Sequence, residues 1–221
     1  MRANRLFCDL PTEILQEFET LKYATVLPKG AMLFVEGQAA RGVFVLCNGR
    51  VKLSTSSSDG KALITQIAHA GEVMGLSATV SEQPYEVTAE TLEPSQVNFV
   101  KREDFVRFLS KHGEACLRVA QQLSQNYHEA HEQVRSLGLS NSTAEKLARL
   151  LLDWMAKDGK QTDKGIMLRL TLTHEEIAQL IGASRETVTR LLSDFKSREL
   201  ISIKGSSLVI RDKTAMEQML S

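Results

Sequence analysis

The chain has 221 residues, 43% of them hydrophobic, and its 27 basic residues balance its 27 acidic ones to a formal net charge of zero. That length supports one large or two small domains with real cores, and the charge balance means that any surface built to meet nucleic acid must be a local one. No apolar run approaches the length of a transmembrane helix, and MRANRLFCDLPTEILQEF has acids where a signal peptide needs an apolar core, so a cytoplasmic protein without a membrane partner is expected.

Residues Pro11 to Lys22 carry Ile14, Leu15, Phe18 and Leu21 on one helical face. From Val26 to Val100 the texture changes to short apolar runs, AMLFVEG, GVFVLCNG, RVKLSTSSSDG, ALITQIAHAG, EVTAETL and QVNFV, separated by glycines. Such spacing predicts a sandwich, jelly roll or barrel. Asn48-Gly49 and Asp59-Gly60 are the strongest hairpin signals, because both residue types tolerate positive φ. A short helix is expected over Arg102–Leu109 and a longer one from about Gly113 to Leu137.

In that longer helix Cys116, Ala120, Leu123, Tyr127, Ala130, Val134 and Leu137 are spaced 4, 3, 4, 3, 4, 3. This is an a/d seam, the pattern of two helices packing along their length, and it predicts a homodimer. The segment from Gly138 to Ser142 reads as a helix break and hinge. Ser142 and Glu145 then have capping-box spacing ahead of a helix with Leu147, Leu150, Leu151 and Trp154. KDGKQTDKG reads as a solvated loop.

Thr173 to Phe195, THEEIAQLIGASRETVTRLLSDF, reads as two short helices around a tight turn. Thr173 and Glu176 form a T-x-x-E capping box, Gly182 supplies the turn, and Ser184 is the N-cap of the second helix. Val188, Leu191, Leu192 and Phe195 are predicted buried, with Arg185, Glu186, Thr189, Arg190 and Ser193 on the opposite face. Arginine can donate two hydrogen bonds to guanine and glutamate can accept one from cytosine N4, so this is a candidate DNA-reading helix-turn-helix. ISI and LVI around Lys204-Gly205-Ser206-Ser207 form a candidate wing. Thr173, Ser184 and Thr187 at the helix starts, with Lys204, are the candidate phosphate contacts.

HEEIAQLIGASRETVTRLLSDFKSRELISIKG resembles the DNA-binding domain of the cyclic-AMP receptor protein and fumarate–nitrate regulator (Crp/Fnr) superfamily. PKGAMLFVEGQAARGVFVLCNGRVKL and AGEVMG are similar to the sensor domain of the same family. The resemblance implies an α+β chain: a cyclic-nucleotide-binding-like β-roll (double-stranded β-helix) over 1–112, a dimerisation helix over 113–138 and a winged helix-turn-helix over 139–221. It implies a homodimer that binds an inverted repeat with GTGA-like half-sites and works with RNA polymerase. Arg185, Glu186 and Arg190 match its base-reading residues and Thr189 stands beside them, whereas His174 stands where a phosphate-binding Arg is common. In the sensor, Gly71 and Glu72 match the family's Gly-Glu pair. Leu76 stands near the place of its second acid, Tyr85-Glu86 near its phosphate-binding Arg-Ser, and His131 near its base-contacting pair. The departures predict a β-roll whose signal is not cyclic AMP. Cys8, Cys47 and Cys116 are too far apart for an iron–sulfur, zinc or disulfide set.

Two other classes fit parts of the sequence. A sensor whose C-terminal domain docks protein would not need Arg185, Glu186 and Arg190. A cupin-like metalloenzyme would need histidines in the β region, which has only His69. His128 and His131 share a helical face but have no third ligand nearby in sequence. No nucleophile elbow, P-loop or dinucleotide fingerprint occurs, so no catalytic residue and no metal site are expected, and the cofactor stays open.

Overall fold

The computed structural model describes residues 7, 10–139, 142–163 and 165–220. Cys8, and Ser140 and Asn141 of the expected hinge, lie outside the described residues. The chain divides into two compact units, Met1–His131 and Glu132–Ser221.

The first unit runs α1 (Thr12–Leu21), β1 (Lys22–Leu27), β2 (Met32–Phe34), β3 (Gly42–Asn48), β4 (Arg50–Ser56), β5 (Ala62–His69), β6 (Val73–Met74), α2 (Leu76–Ser81), β7 (Thr88–Thr91), β8 (Ser95–Lys101) and α3 (Arg102–Lys111). Among the described residues its strands form two four-stranded antiparallel sheets, ordered β1-β8-β3-β6 and β2-β7-β4-β5. Strand β3 explains why both sheet faces are apolar. Val43 and Val45 pack with Phe18, Phe105 and Phe108 toward the helices, while Phe44 and Leu46 pack with Val51, Met74 and Tyr85 between the sheets. A strand buried on both faces reads as a continuous apolar run, and GVFVL is one.

Asp59-Gly60 lies in the β4–β5 hairpin, with the Ser57 amide donating to the Lys61 carbonyl at 2.9 Å. Asn48-Gly49 does not close a hairpin. It carries the chain from one sheet to the other, because β3 pairs with β6 and β8 while β4 pairs with β5 and β7. Gly49 is required there: φ is +96°, and a Cβ would lie 2.3 Å from Ser95 Oγ.

α4 (Gly113–Leu139) includes Gly138 and runs one residue into the 138–142 segment that the sequence reading took as a break. One glycine costs a helix only about 1 kcal/mol, so it does not by itself end one. The second unit then runs α5 (Thr143–Asp158), β9 (Lys160–Thr162), β10 (Gly165–Arg169), α6 (His174–Ile181), α7 (Arg185–Ser197), β11 (Ile201–Lys204), β12 (Ser207–Ile210) and α8 (Lys213–Gln218). Its sheet order is β11-β12-β10-β9. The expected solvated loop is therefore largely a hairpin, with Met167 opposite Lys160 and Ile166 opposite Gln161. Its polar sequence hid it because β10 is held from its other side, where buried Leu168 pairs with buried Leu208 of β12. Among the described residues no helix is long and apolar enough to cross a membrane.

Outside the first unit's cores, Glu17 of α1 accepts hydrogen bonds from Lys111 Nζ at 2.7 Å and His112 Nε2 at 3.0 Å, fastening α1 to the end of α3. Lys111 and then His112 hold the Glu17 carboxyl below its ordinary value. A depressed folded-state value means stabilisation above about pH 4.5, lost as pH falls through the folded value. Glu17→Gln is accordingly expected to melt below the parent at pH 7, with the gap closing in acid. Thermal unfolding followed by circular dichroism at both pH values checks this, and a gap independent of pH would assign the effect to packing instead.

Candidate nucleic-acid interface and sensor site

The helix-turn-helix is positioned by its caps. Glu176 accepts from the Thr173 amide at 2.7 Å and from its hydroxyl at 2.9 Å, while the Thr173 hydroxyl accepts from the Glu176 amide at 3.2 Å, a complete capping box. Gly182 ends α6 at φ +64°, where a Cβ would also press on Leu137 Cδ2 at 3.2 Å. Ser184 Oγ accepts from the Thr187 amide at 3.2 Å and starts α7. Ile177, Ala178 and Ile181 of α6 are buried, as are Val188, Leu192 and Phe195 of α7, whereas Leu191 is half-buried.

The opposite face of α7 is open: Arg185, Glu186, Thr189, Arg190 and Ser193 are all exposed. The Glu186 carboxyl lies below its ordinary value, held by hydrogen bonds from its own amide and from Ser184, with Arg185 adding charge attraction. It is an ionised acceptor at neutral pH. The Thr189 hydroxyl gives its proton to the Arg185 carbonyl at 2.9 Å, so His174 Nδ1, 2.9 Å away, must be the donor to it. His174 is thus tied to α7. Lys204 is exposed at the end of β11, beside a tight Gly205-Ser206 turn. Residues 132–221 carry 14 basic and 12 acidic side chains against 13 and 15 in residues 1–131, so the neutral total conceals a mild excess of positive charge in this unit.

Along α4 the faces differ. Ala115, Val119 and Gln122 are buried. Gln122 donates to the Val73 carbonyl at 2.7 Å and accepts from its amide at 3.3 Å. On the seam Cys116, Ala120 and Ala130 are exposed, and Tyr127 and Val134 are 68% and 69% exposed. Leu123 is half-buried against the first unit's core, and Leu137 is half-buried in the second unit, where it lies against the Gly182 turn.

In the sensor, the Gly71 amide donates to the Leu46 carbonyl at 2.7 Å and the Leu46 amide donates to the Glu72 carbonyl at 2.9 Å. Leu76 is buried in the core that faces the helices. Tyr85 is buried between the sheets, stacked on Phe34 at 4.0 Å, with its hydroxyl donating to the Gly42 carbonyl at 2.7 Å. Burial pushes its phenol above the ordinary value, which keeps it a donor. Glu86 and His131 are exposed. Among the described residues no three His, Cys, Asp or Glu side chains are grouped to hold a metal. The sequence reading missed the Gln122 clamp and the Gly42 acceptor, since each joins residues more than forty positions apart.

Two family models match the chain: the cyclic nucleotide-binding domain over residues 24–112 and the Crp-like helix-turn-helix domain over residues 145–219. The anaerobic regulatory protein of Bacillus subtilis is 24% identical over 92% of this chain and 86% of its own. The CRP-like cAMP-activated global transcriptional regulator of Mycobacterium tuberculosis is 26% identical over 84% and 82%. In fold, a CooA mutant from Carboxydothermus hydrogenoformans aligns with TM-score 0.83 at 20% identity, covering 100% of this chain and 97% of its own. FixK2 from Bradyrhizobium japonicum aligns with TM-score 0.79 at 20% identity, over 90% and 98%. With a sensor-type β-roll and a Crp-like helix-turn-helix both matched, the chain belongs to the Crp/Fnr family of transcriptional regulators.

Proposed function

We propose that two copies of the chain pair along α4 and read an inverted repeat in double-stranded DNA, with GTGA-like half-sites about one helical turn apart. The observation that carries this is α7, whose one face is buried while Arg185, Glu186, Thr189 and Arg190 stand exposed on the other. The arginines suit guanine O6 and N7, ionised Glu186 suits cytosine N4, and the Thr189 methyl suits thymine. Phosphate contacts come from Lys204 and from the helix starts. Ser184 and Thr187 share one mutual hydrogen bond at 3.0 Å, and Ser184 also donates to Glu186, so these hydroxyls meet phosphate by exchanging one of those partners. Thr173, whose proton goes to Glu176, acts by setting the start of α6. RNA polymerase is the protein partner and the cytoplasm the setting; the protein acts by binding, without catalysis.

The β-roll answers a signal other than cyclic AMP. Tyr85 fills space between the sheets near the place of the family's phosphate-binding arginine, and exposed Glu86 repels an anion. The pairing of two chains is supported by Tyr127 and Val134, large apolar side chains left open along one helix face.

Arg190→Ala is expected to cost roughly 1–3 kcal/mol per half-site and to relax selectivity at one G·C position, whereas Lys204→Ala weakens all sequences alike and flattens the salt dependence. Random-sequence selection at fixed salt separates these, and an unchanged consensus for Arg190→Ala would remove Arg190 from the reading face. For assembly, Leu123→Glu attacks the seam and the unit's own core together, so Val134→Glu is the cleaner variant. It should halve the mass in sedimentation, and an unaltered dimer would place the interface elsewhere. Titration calorimetry with cyclic AMP and cyclic GMP should give no saturable micromolar binding; a tight isotherm for either nucleotide defeats the sensor reading.

A further inference from the structure

Strand β3 loses register with β8 at one residue. Leu46 pairs with Val97 and Asn48 with Gln96, so Cys47 is the extra residue of a β-bulge. Bulges re-aim a side chain, and this thiol is exposed. Beside it on β8 stands Asn98, opposite Val45 in the ladder and only 4% exposed. Asn98 Nδ2 donates to Cys47 Sγ at 3.0 Å, while Asn98 Oδ1 is buried with no hydrogen-bond partner. The Cys47 thiol in turn donates to the Val45 carbonyl at 3.8 Å. A buried amide with an orphaned oxygen is uncommon in a strand, where an apolar side chain would leave nothing unpaired. Its nitrogen does what a thiolate needs, donating to the sulfur.

We propose that Cys47 is an oxidation site: a bulge-presented thiol, positioned by the Asn98 amide, that a hydroperoxide converts to a sulfenic acid. The Cys47 thiolate attacks one peroxide oxygen, an S–O bond forms and the O–O bond breaks. The departing oxygen leaves with the electron pair and takes up the thiol's proton, giving water or an alcohol. Sulfur loses two electrons and the peroxide gains them. The new S–OH hydroxyl brings a donor to the amide whose oxygen lacks one. Asn98 acts through the sulfur as a positioning residue. The site also lies one residue from Leu46, which holds the Gly71–Glu72 turn through two backbone hydrogen bonds, so a group added at Cys47 sits beside the sensor turn. The chemistry does not depend on what the second unit binds.

The test uses the full chain, hydrogen peroxide in small excess, dimedone as the sulfenic-acid trap and site-resolved mass spectrometry of the Cys47 peptide. In the folded protein Cys47 should be trapped at least about fivefold faster than in the urea-unfolded chain, since the bulge presents the sulfur and the Asn98 amide donates to it. Asn98→Leu should bring the rate down toward the unfolded value, and Asn98→Asp, which sets a carboxylate against the sulfur, should lower it further. If Asn98 only holds the strands together, both variants loosen β3 and leave Cys47 as fast or faster. That result overturns the proposal, as does a folded rate no higher than the unfolded one, a comparison that stands even if neither variant folds.

Discussion

The first unit closes on the carbonyl oxygen of Gly42. Tyr85 donates its hydroxyl to it at 2.7 Å and Thr79 of α2 donates at 2.9 Å, both from buried positions. Each hydroxyl would cost about 1–3 kcal/mol if left buried without a partner. Gly42 admits no other residue, since a Cβ would lie 2.1 Å from the Val100 carbonyl. One backbone atom therefore fixes the start of β3, the path of α2 and the inward turn of the chain at Tyr85. The Tyr85 ring, stacked on Phe34, then fills part of the interior between the sheets. The closure of the roll and the filling of its interior at Tyr85 are the same physical fact.

The second unit solves a different problem, that of exposing a charged helix face without destabilising the helix. α7 has its apolar stripe buried through Val188, Leu192 and Phe195, each contributing about 1.5–3 kcal/mol by leaving water. The packing of that stripe and the Ser184 cap hold the helix, so the side chains of Arg185 and Arg190 on the outer face are relieved of structural duty. Arg185 and Arg190 can then be chosen for what they meet. His174 has a different part: donating to Thr189, it ties the start of α6 to α7.

Much of this was legible because it is local. Caps at Thr173 and Ser184, the turn at Gly182 and the two faces of α7 depend on residues three or four apart, and sequence spacing records them directly. What stayed hidden depends on partners far along the chain. The two-residue strand β6 exists only through its pairing with β3, and β9 through β10. Asn48-Gly49 announces a turn, but nothing in those two residues says that the next strand belongs to another sheet. The heptad seam was visible as spacing, yet spacing does not reveal that Leu123 also serves its own unit's core. Asn98 and Cys47 stand 51 residues apart and meet only because of the bulge.

Zero net charge at first counts against a DNA-binding protein, and the distribution of charge resolves it. Surface charges act over about 8 Å at physiological ionic strength, so a phosphate responds to its neighbours and not to the whole chain. On α7, Asp194 is paired with Arg198 at 3.4 Å, which removes an acid from the helix's outer field. Glu186 remains ionised beside Arg185 and Arg190, where a purely basic face would bind any duplex without discrimination. One acid among arginines lowers affinity for bare phosphate and favours sequences that offer it a cytosine amino group. On the proposed reading, selectivity rests on this local mixture of charges on α7 and not on the chain's total.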